Sequence, residues 1–295
     1  VLSGGEVAQR ISAETRQRVL EAASKMGYRP NLLARSLRTR KSYSIALLLP
    51  DISCGKYAKI ARRIETTLHG QGYSLMLCNS GSDHHLEHEY LDMLPRKGVD
   101  GVIVVPHDLS GERLSELIRS TSVVVLDRNI EGAPCVYSDF AQGAVSLADA
   151  LAQTGIENVL LITSEHHQLR HHLLSDALSA KLDIVETIQI DDPSKLKSDS
   201  NHQHIDAVVC SSSHVAEMYL TSRREFDTTR PIACFDASGS LMAMPIPVMT
   251  CNQDTQALAD GVVEMLMNQL RGSALDRTQI AVAMSVKTNH ALAMG

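Results

Sequence analysis

Apolar and polar positions along the chain fall into two regimes that meet near Ser42. Before it, Val19, Ala23 and Met26 recur at spacings of four and three, the interval that places side chains on one face of a helix. Ser12 stands where an N-cap accepts a backbone N–H, and Glu14 lies in the first turn, at the positive end of the helix dipole. Gly27 supplies a left-handed stop and Pro30 blocks continuation, so the spacing predicts a helix of about four turns. Asn31 can cap a second, shorter helix over 32–38, with Leu33 and Leu37 on one face and Arg35 and Arg38 beside them. Helices this short do not persist alone and need a partner to fold against.

After Ser42 short apolar runs alternate with amphipathic stretches. SIALLL (44–49) precedes a helical pattern carrying Ile60, Ile64 and Leu68. YSLMLC (73–78) precedes LEHEYLDML, GVIVVP (101–106) precedes ERLSELIRS, and SVVVLD (122–127) follows. A second round begins near Gly155 with NVLLIT (158–163), AVVCS (207–211) and PIACFD (231–236). This rhythm predicts parallel sheets covered by helices, an α/β fold of two doubly wound lobes with a cleft between them. Ligands in such sheets lie beyond the carboxyl ends of the strands. Pro50-Asp51, Asp127-Arg128, Asp139, Ser212-Ser213 and Asp236 fall there. The same residue types also cap helices and close turns, and each position taken singly is open to that reading. Their recurrence in both rounds favours a ligand role.

The chain has 295 residues and a formal net charge of −6, which by itself argues against a nucleic-acid partner. The distribution argues the other way. Residues 1–42 hold nine Lys/Arg against three acids, and the remainder holds 19 basic and 31 acidic residues. A small basic head on an acidic body is the asymmetry of a polyanion-binding module, although a solvated, charged terminal helix would carry the same residues. Arginines flanking a leucine on a marginal helix suit folding on DNA, with arginine on phosphate and leucine wedged between bases. A charged linker with Leu37 merely packing is the bland reading of the same stretch.

Cys54, Cys78, Cys135, Cys210, Cys234 and Cys251 are scattered without a C-x-x-C, and several end apolar runs. They read as small buried thiols in a reducing cytosol rather than a zinc or disulfide framework. The histidines His84, His85, His88 and His166, His167, His171, His172 cluster without the convergence a metal site needs. NSGSDHH (79–85) is no phosphate loop, and Ser211, Ser212, Ser213 with His214 lack a third group for a triad. No catalytic residues, metal or cofactor are expected. No apolar run reaches membrane-span length. VLSGGEVAQRIS has neither the basic nor the apolar region of a secretory signal, and starting at Val it reads as part of a longer or trimmed chain.

The pattern S-A-E-T-R-x-R-V, then G-Y-R-P-N-x-x-A-R-S-L-R, then a serine before an apolar strand, resembles the lactose/galactose-repressor (LacI/GalR) family. GYSLMLCNSGSDHHLEHEYLDMLPRKGVDGVIVVP, VVVLDR and MTCNQDTQALADGVVEML continue the resemblance over nearly the whole chain. PDISCGKYAKIARRIE is similar to the fructose-repressor branch, which responds to phosphorylated fructose. The resemblance implies a periplasmic-binding-protein-like body behind a partial all-α headpiece, with its first two helices, including the recognition helix, before Val1. It implies a headpiece remnant at 1–30, a hinge helix and linker at 31–42, one lobe from 43–152 plus 248–277, and a second from 153–247 plus 278–295. Asn31, Ala34, Arg35, Leu37 and Arg38 become the expected DNA contacts, with Leu37 as the minor-groove wedge.

The expected effector contacts are Asp51, Tyr57, Asp127, Arg128, Asp139, Arg170, Ser212 and Asp236. Carboxylates suit sugar hydroxyls, and Arg128 with Arg170 suits a phosphate. This chain departs from the family pattern at Leu173 and Leu174, which stand for Gly and Phe, at Ser212-Ser213 for Asn-Asp, and at Phe140 for Asn. The stretch 191–204 is polar where a helix is usual. The expected protein is a cytoplasmic repressor whose operator binding answers to a sugar or sugar phosphate, acting as a homodimer or tetramer and without membrane contact. A periplasmic-type sugar-binding module would call for a secretory signal and no basic head. An α/β enzyme would call for convergent catalytic groups. A regulator that has lost specific DNA binding is the third alternative.

Overall fold

The computed structural model describes residues 11–27, 36, 39, 41–106, 111–164, 168–190, 204–222, 229–273 and 277–289. Helix α1 (Ala13–Lys25) begins at Ser12, whose hydroxyl accepts from the Thr15 N–H, and ends before Gly27 at φ 62°. Ala23 is buried on its apolar face, but Met26 is 77% exposed. Met26 is the C-cap, one residue past the last helical turn, so the three-residue spacing does not carry it onto the buried face. The expected DNA contacts Asn31, Ala34, Arg35, Leu37 and Arg38 lie outside the described residues, as do His166, His167 and 191–203.

The body divides into two units. The first holds a six-stranded sheet built from β1 (Ser44–Leu49), β2 (Ser74–Asn79), β3 (Gly101–Val104), β4 (Ser122–Leu126), β5 (Cys135–Ser138) and β11 (Gln279–Val282), in the order β11-β5-β4-β3-β1-β2. Strands β1 to β5 pair in parallel. Helices α2 (Gly55–Gly70), α3 (His84–Lys97), α4 (Gly111–Ser120) and α9 (Thr255–Leu270) complete it. The four residues of β3 and the last five of β1 are all buried, the continuous apolar run of a parallel sheet covered on both faces. Gly101 shows how close the cover lies: a Cβ there would meet Leu266 Cδ1 of α9 at 2.9 Å.

The second unit repeats the plan. Its strands are β6 (Asn158–Thr163), β7 (Asp183–Gln189), β8 (Ala207–Cys210), β9 (Ile232–Phe235), β10 (Val248–Asn252) and β12 (Ser285–Thr288), in the order β12-β10-β9-β8-β6-β7. Only β12 is antiparallel to its neighbour among the described pairs. Helices α5 (Phe140–Gln153), α6 (Gln168–Ser179), α7 (Ser213–Thr221) and the single turn α8 (Gly239–Met242) belong here. In both sheets the strand order reverses between the first and third strands of the round, β1/β3 and β6/β8, which is where doubly wound sheets leave room for a ligand.

The expected lobe boundaries need correction. The chain passes between units at 136/137, 258/259 and 279/280, inside β5, α9 and β11. The stretch 137–152 therefore belongs to the second unit, because Ala144, Leu147, Ala148 and Leu151 of α5 share a core with Val159, Leu161, Leu174 and Phe235. Gly143 lets α5 approach so closely that a Cβ would meet Met284 Sδ at 2.8 Å. Residues 248–258 also move to the second unit, since β10 pairs with β9 and β12.

The repeat extends to side chains at the amino ends of the strands. Asp100, before β3, accepts from the N–H groups of Ser42 and Tyr43 at 2.8 Å each. Asp206, before β8, accepts from Glu157 and Asn158 at 3.0 and 2.8 Å. Each carboxylate thereby fixes where the first strand of its round begins. The N–H groups of Asn158 and then Glu157 hold the Asp206 carboxyl below its ordinary value. A depressed folded value means the contribution is complete above the unfolded carboxylate value of about 4 and is lost as pH falls through the folded one. The difference in melting temperature between wild type and Asp206→Asn should therefore be constant near neutrality and close below about pH 4. A gap unchanged down to pH 3 in a thermal melt series would contradict this role.

Five of the six cysteines are buried and Cys54 is exposed. Burial raises the Cys78 and Cys135 thiols, and burial with the nearby Asp236 charge pushes Cys251 up to about 12. No helix among the described residues is long and apolar enough to cross a membrane.

Candidate functional site

The carboxyl ends of the two sheets carry matching aspartates. Asp127 follows β4 and Asp236 follows β9, the fourth strand of each round, and both adopt left-handed backbone at φ 67° and 61°. That conformation costs an L-residue roughly 1–2 kcal/mol, so each must be held by its surroundings. The backbone does part of this: Asp127 N–H donates to Val136 O and Asp236 N–H to Cys251 O, both at 2.9 Å.

In the first unit Lys56 Nζ lies 2.5 Å from Asp127 Oδ2, and the Tyr57 hydroxyl donates to the same oxygen at 3.1 Å. Lys56 also sits 4.5 Å from the centre of the Tyr57 ring. The lysine and aspartate side chains are 15% and 10% exposed, so water screens the pair little. Asp127 Oδ1 is buried without a hydrogen-bond partner. Burial first, and then the Asp127 charge, push the Tyr57 hydroxyl well above its ordinary value, keeping it a proton donor.

In the second unit Gln253 Nε2 donates to both oxygens of Asp236 at 2.9 Å. Ser138 Oγ donates to Gln253 Oε1 at 2.8 Å, which fixes the amide with its NH2 toward the carboxylate. Arg170 Nη1 stands 3.5 Å from Asp236 Oδ2 and 3.4 Å from Ser211 O, both long contacts. Its guanidinium lies 4.4 Å above the Phe140 ring and 6.0 Å from Phe235. Phe140 and Phe235 meet edge to face at 5.3 Å, so the arginine rests on a rigid aromatic base. A flat cation beside a carboxylate and an oriented amide offers donors and acceptors in the arrangement that vicinal hydroxyls need.

Of the residues expected at the site, Tyr57 joins Asp127 and Arg170 joins Asp236. The others do not join these clusters. Asp51 is exposed and accepts from Ser53 N–H and Oγ at 2.8 and 2.7 Å, closing its own turn. Asp139 caps α5 through Gln142 N–H, and Ser212 caps α7 through Val215 N–H. Arg128 is exposed beside Asp127. Lys56, Gln253, Ser138 and Phe140 were not expected as contributors. Only Gln253 had a visible signal, standing one residue past a buried strand in MTCNQD.

The comparisons with known proteins bear on what such an arrangement serves. Residues 42–174 match the family model described as periplasmic binding proteins and sugar binding domain of LacI family. The HTH-type transcriptional regulator RegA of Clostridium saccharobutylicum is 30% identical over 292 residues, covering 90% of this chain and 86% of that protein. The chain belongs to the LacI/GalR family of transcriptional regulators. Another family member, the ribose operon repressor of Bacillus subtilis, is 34% identical over 181 residues, 61% of this chain and 54% of the relative.

Solved members of the family share the fold. The Cra dual regulator from Pseudomonas putida, solved with fructose 1-phosphate, superposes with a TM-score of 0.73 at 20% identity, over 84% of this chain and 98% of that one. A LacI-family regulator from Silicibacter pomeroyi gives 0.75 at 17% identity, over 96% and 91%. The two parallel-sheet units are thus those of the periplasmic-binding-protein-like body that the sequence resemblance implied.

Proposed function

We propose that this chain is a DNA-binding repressor whose operator affinity is set by a sugar or sugar phosphate, and that it is not an enzyme. The observation that carries the reading is the Arg170–Asp236–Gln253 cluster on its aromatic base, at the carboxyl ends of a doubly wound sheet. The Asp127–Tyr57–Lys56 group is the corresponding feature of the first unit. The Cra regulator solved with fructose 1-phosphate and the relative that governs a ribose operon make those two compounds the first to try.

On this reading the hinge stretch 31–42 binds DNA, with Leu37 as the wedge and Arg35 and Arg38 on phosphates. The effector biases whether that marginal helix folds on the operator. The protein acts as a cytoplasmic homodimer, which supplies two hinge helices to one operator.

A thermal-shift screen with neutral sugars and sugar phosphates tests the effector half. A binder present at a hundredfold excess over its Kd should stabilise by about 2.7 kcal/mol, a rise of several degrees. Asp236→Ala should abolish that rise, and a panel in which no sugar moves the wild-type transition would sink the proposal. For the DNA half, Leu37→Ala should weaken operator binding at least tenfold in a fluorescence-anisotropy titration. Unchanged affinity would remove the hinge from the interface.

A further inference from the structure

Asp236 occupies a backbone turn that an L-residue adopts only under constraint, φ 61°. Upstream it is anchored through its N–H to Cys251 O. Downstream the chain enters α8, a single turn of four residues that cannot hold its own position. The constraint on that side comes from another element. Glu217, on α7, accepts at Oε1 from Ser238 Oγ and from Ser240 Oγ, each at 2.6 Å.

The two hydroxyls are 3.1 Å apart, and Ser238 Oγ also accepts the Leu241 N–H at 3.1 Å as the cap of α8. One carboxylate oxygen thus gathers both hydroxyls and the first turn of α8. Hydrogen bonds from hydroxyls to an ionised oxygen are of the short, strong kind, and the two serines hold the Glu217 carboxyl below its ordinary range. Helix α7 itself springs from Ser212 at the end of β8, so Glu217 ties the loop after β9 to the element that follows the neighbouring strand.

We propose that Glu217 is a positioning residue for the effector site: through Ser238 and Ser240 it clamps the 236–240 loop and so keeps Asp236 against Gln253 and Arg170. Among the described residues the hydrogen bonds of Glu217 go to Ser238 and Ser240 and not to that cluster, so it acts through the loop. The functional consequence rests on reading Asp236 as an effector contact, whereas the clamp can be tested without any effector.

Gln253 provides the readout, because its side-chain amide donates to both Asp236 oxygens and reports where the carboxylate sits. In Glu217→Ala the Gln253 side-chain NH2 resonances should shift, and their exchange with solvent should accelerate at least tenfold. The backbone amides of Asn158–Thr163 should stay protected. Glu217→Gln, which keeps an acceptor at Oε1, should restore most of the wild-type behaviour, as a purely bulk effect on stability would not. Ser240→Ala, at an exposed position, removes one of the two donors and should give an intermediate acceleration should Glu217→Ala fail to fold. Gln253 resonances that match wild type in Glu217→Ala or Ser240→Ala, or exchange that rises evenly across the unit, would overturn the clamp. A Gln253 response in a protein that neither D-ribose nor fructose 1-phosphate stabilises supports the clamp and counts against the effector reading, so the two fail separately.

Discussion

Lys56→Met is expected to destabilise the first unit by about 3 kcal/mol, at the low end of the range for breaking a buried ion pair. The size follows from what is left behind. Asp127 is 10% exposed, one of its oxygens is buried without a partner, and the other would keep only the Tyr57 hydroxyl. A carboxylate so placed loses its compensating charge while water cannot reach it. For a unit of this size the loss corresponds to a fall in melting temperature of roughly 6–12 °C. A double-mutant cycle separates the pair from its parts: Lys56→Met with Asp127→Asn should recover more than 1 kcal/mol of the summed single losses. Urea melts in which the two changes simply add would show that the 2.5 Å contact contributes nothing specific.

Phe235→Ala is expected to cost about 3–5 kcal/mol, the usual range for emptying a large buried site. Phe235 is fully buried, with Phe140 edge to face at 5.3 Å and the Arg170 guanidinium 6.0 Å away. Two of the chain's three phenylalanines are committed to this contact, so emptying the Phe235 site also removes the edge on which the Phe140 ring rests. Phe235→Leu, which keeps most of the volume, should cost about 1 kcal/mol, the part owed to ring geometry. If the alanine and leucine variants melt alike, the cavity argument is wrong. The alanine variant should also loosen Arg170, and any sugar identified by thermal shift should bind it less tightly.

Much of the fold was legible because buried parallel strands write themselves as unbroken apolar runs. SIALLL, GVIVV, SVVVL, NVLLIT and AVVC each became a strand. The edge strand β7 was not legible, since DIVETIQ is mostly exposed and mixes charges with its apolar positions. The unit boundaries were hidden for a different reason. The chain changes unit inside β5, α9 and β11, where a regular element runs on across the crossing and no polar linker marks it. The strand-end aspartates were readable as a set but not individually. Asp51 and Asp139 stand at strand ends as Asp127 and Asp236 do, yet close a turn and cap a helix. The difference lies in a backbone angle, left-handed at Asp127 and Asp236, that no side-chain pattern announces. Lys56 was missed because its partner lies 71 residues away and its neighbours read as an ordinary helix start.

The route of the chain also sets the order in which the protein can be made. The first unit takes α9 and the start of β11 from residues 259–279, and α9 covers β3 and β4 through Leu266 at Gly101 and Gln269 Nε2 at Val123 O, 3.0 Å. A ribosome that has finished Val136 must add another 143 residues before that cover is complete, on the order of ten seconds at about 5–20 residues per second. During that interval one face of β3 and β4, carrying Ile103 and Val124, waits open while the second unit is being synthesised. The first unit therefore stays open to aggregation until residues 259–279 have been translated, and a ribosome stalled between 140 and 250 would present an apolar sheet face to the chaperones rather than a folded lobe.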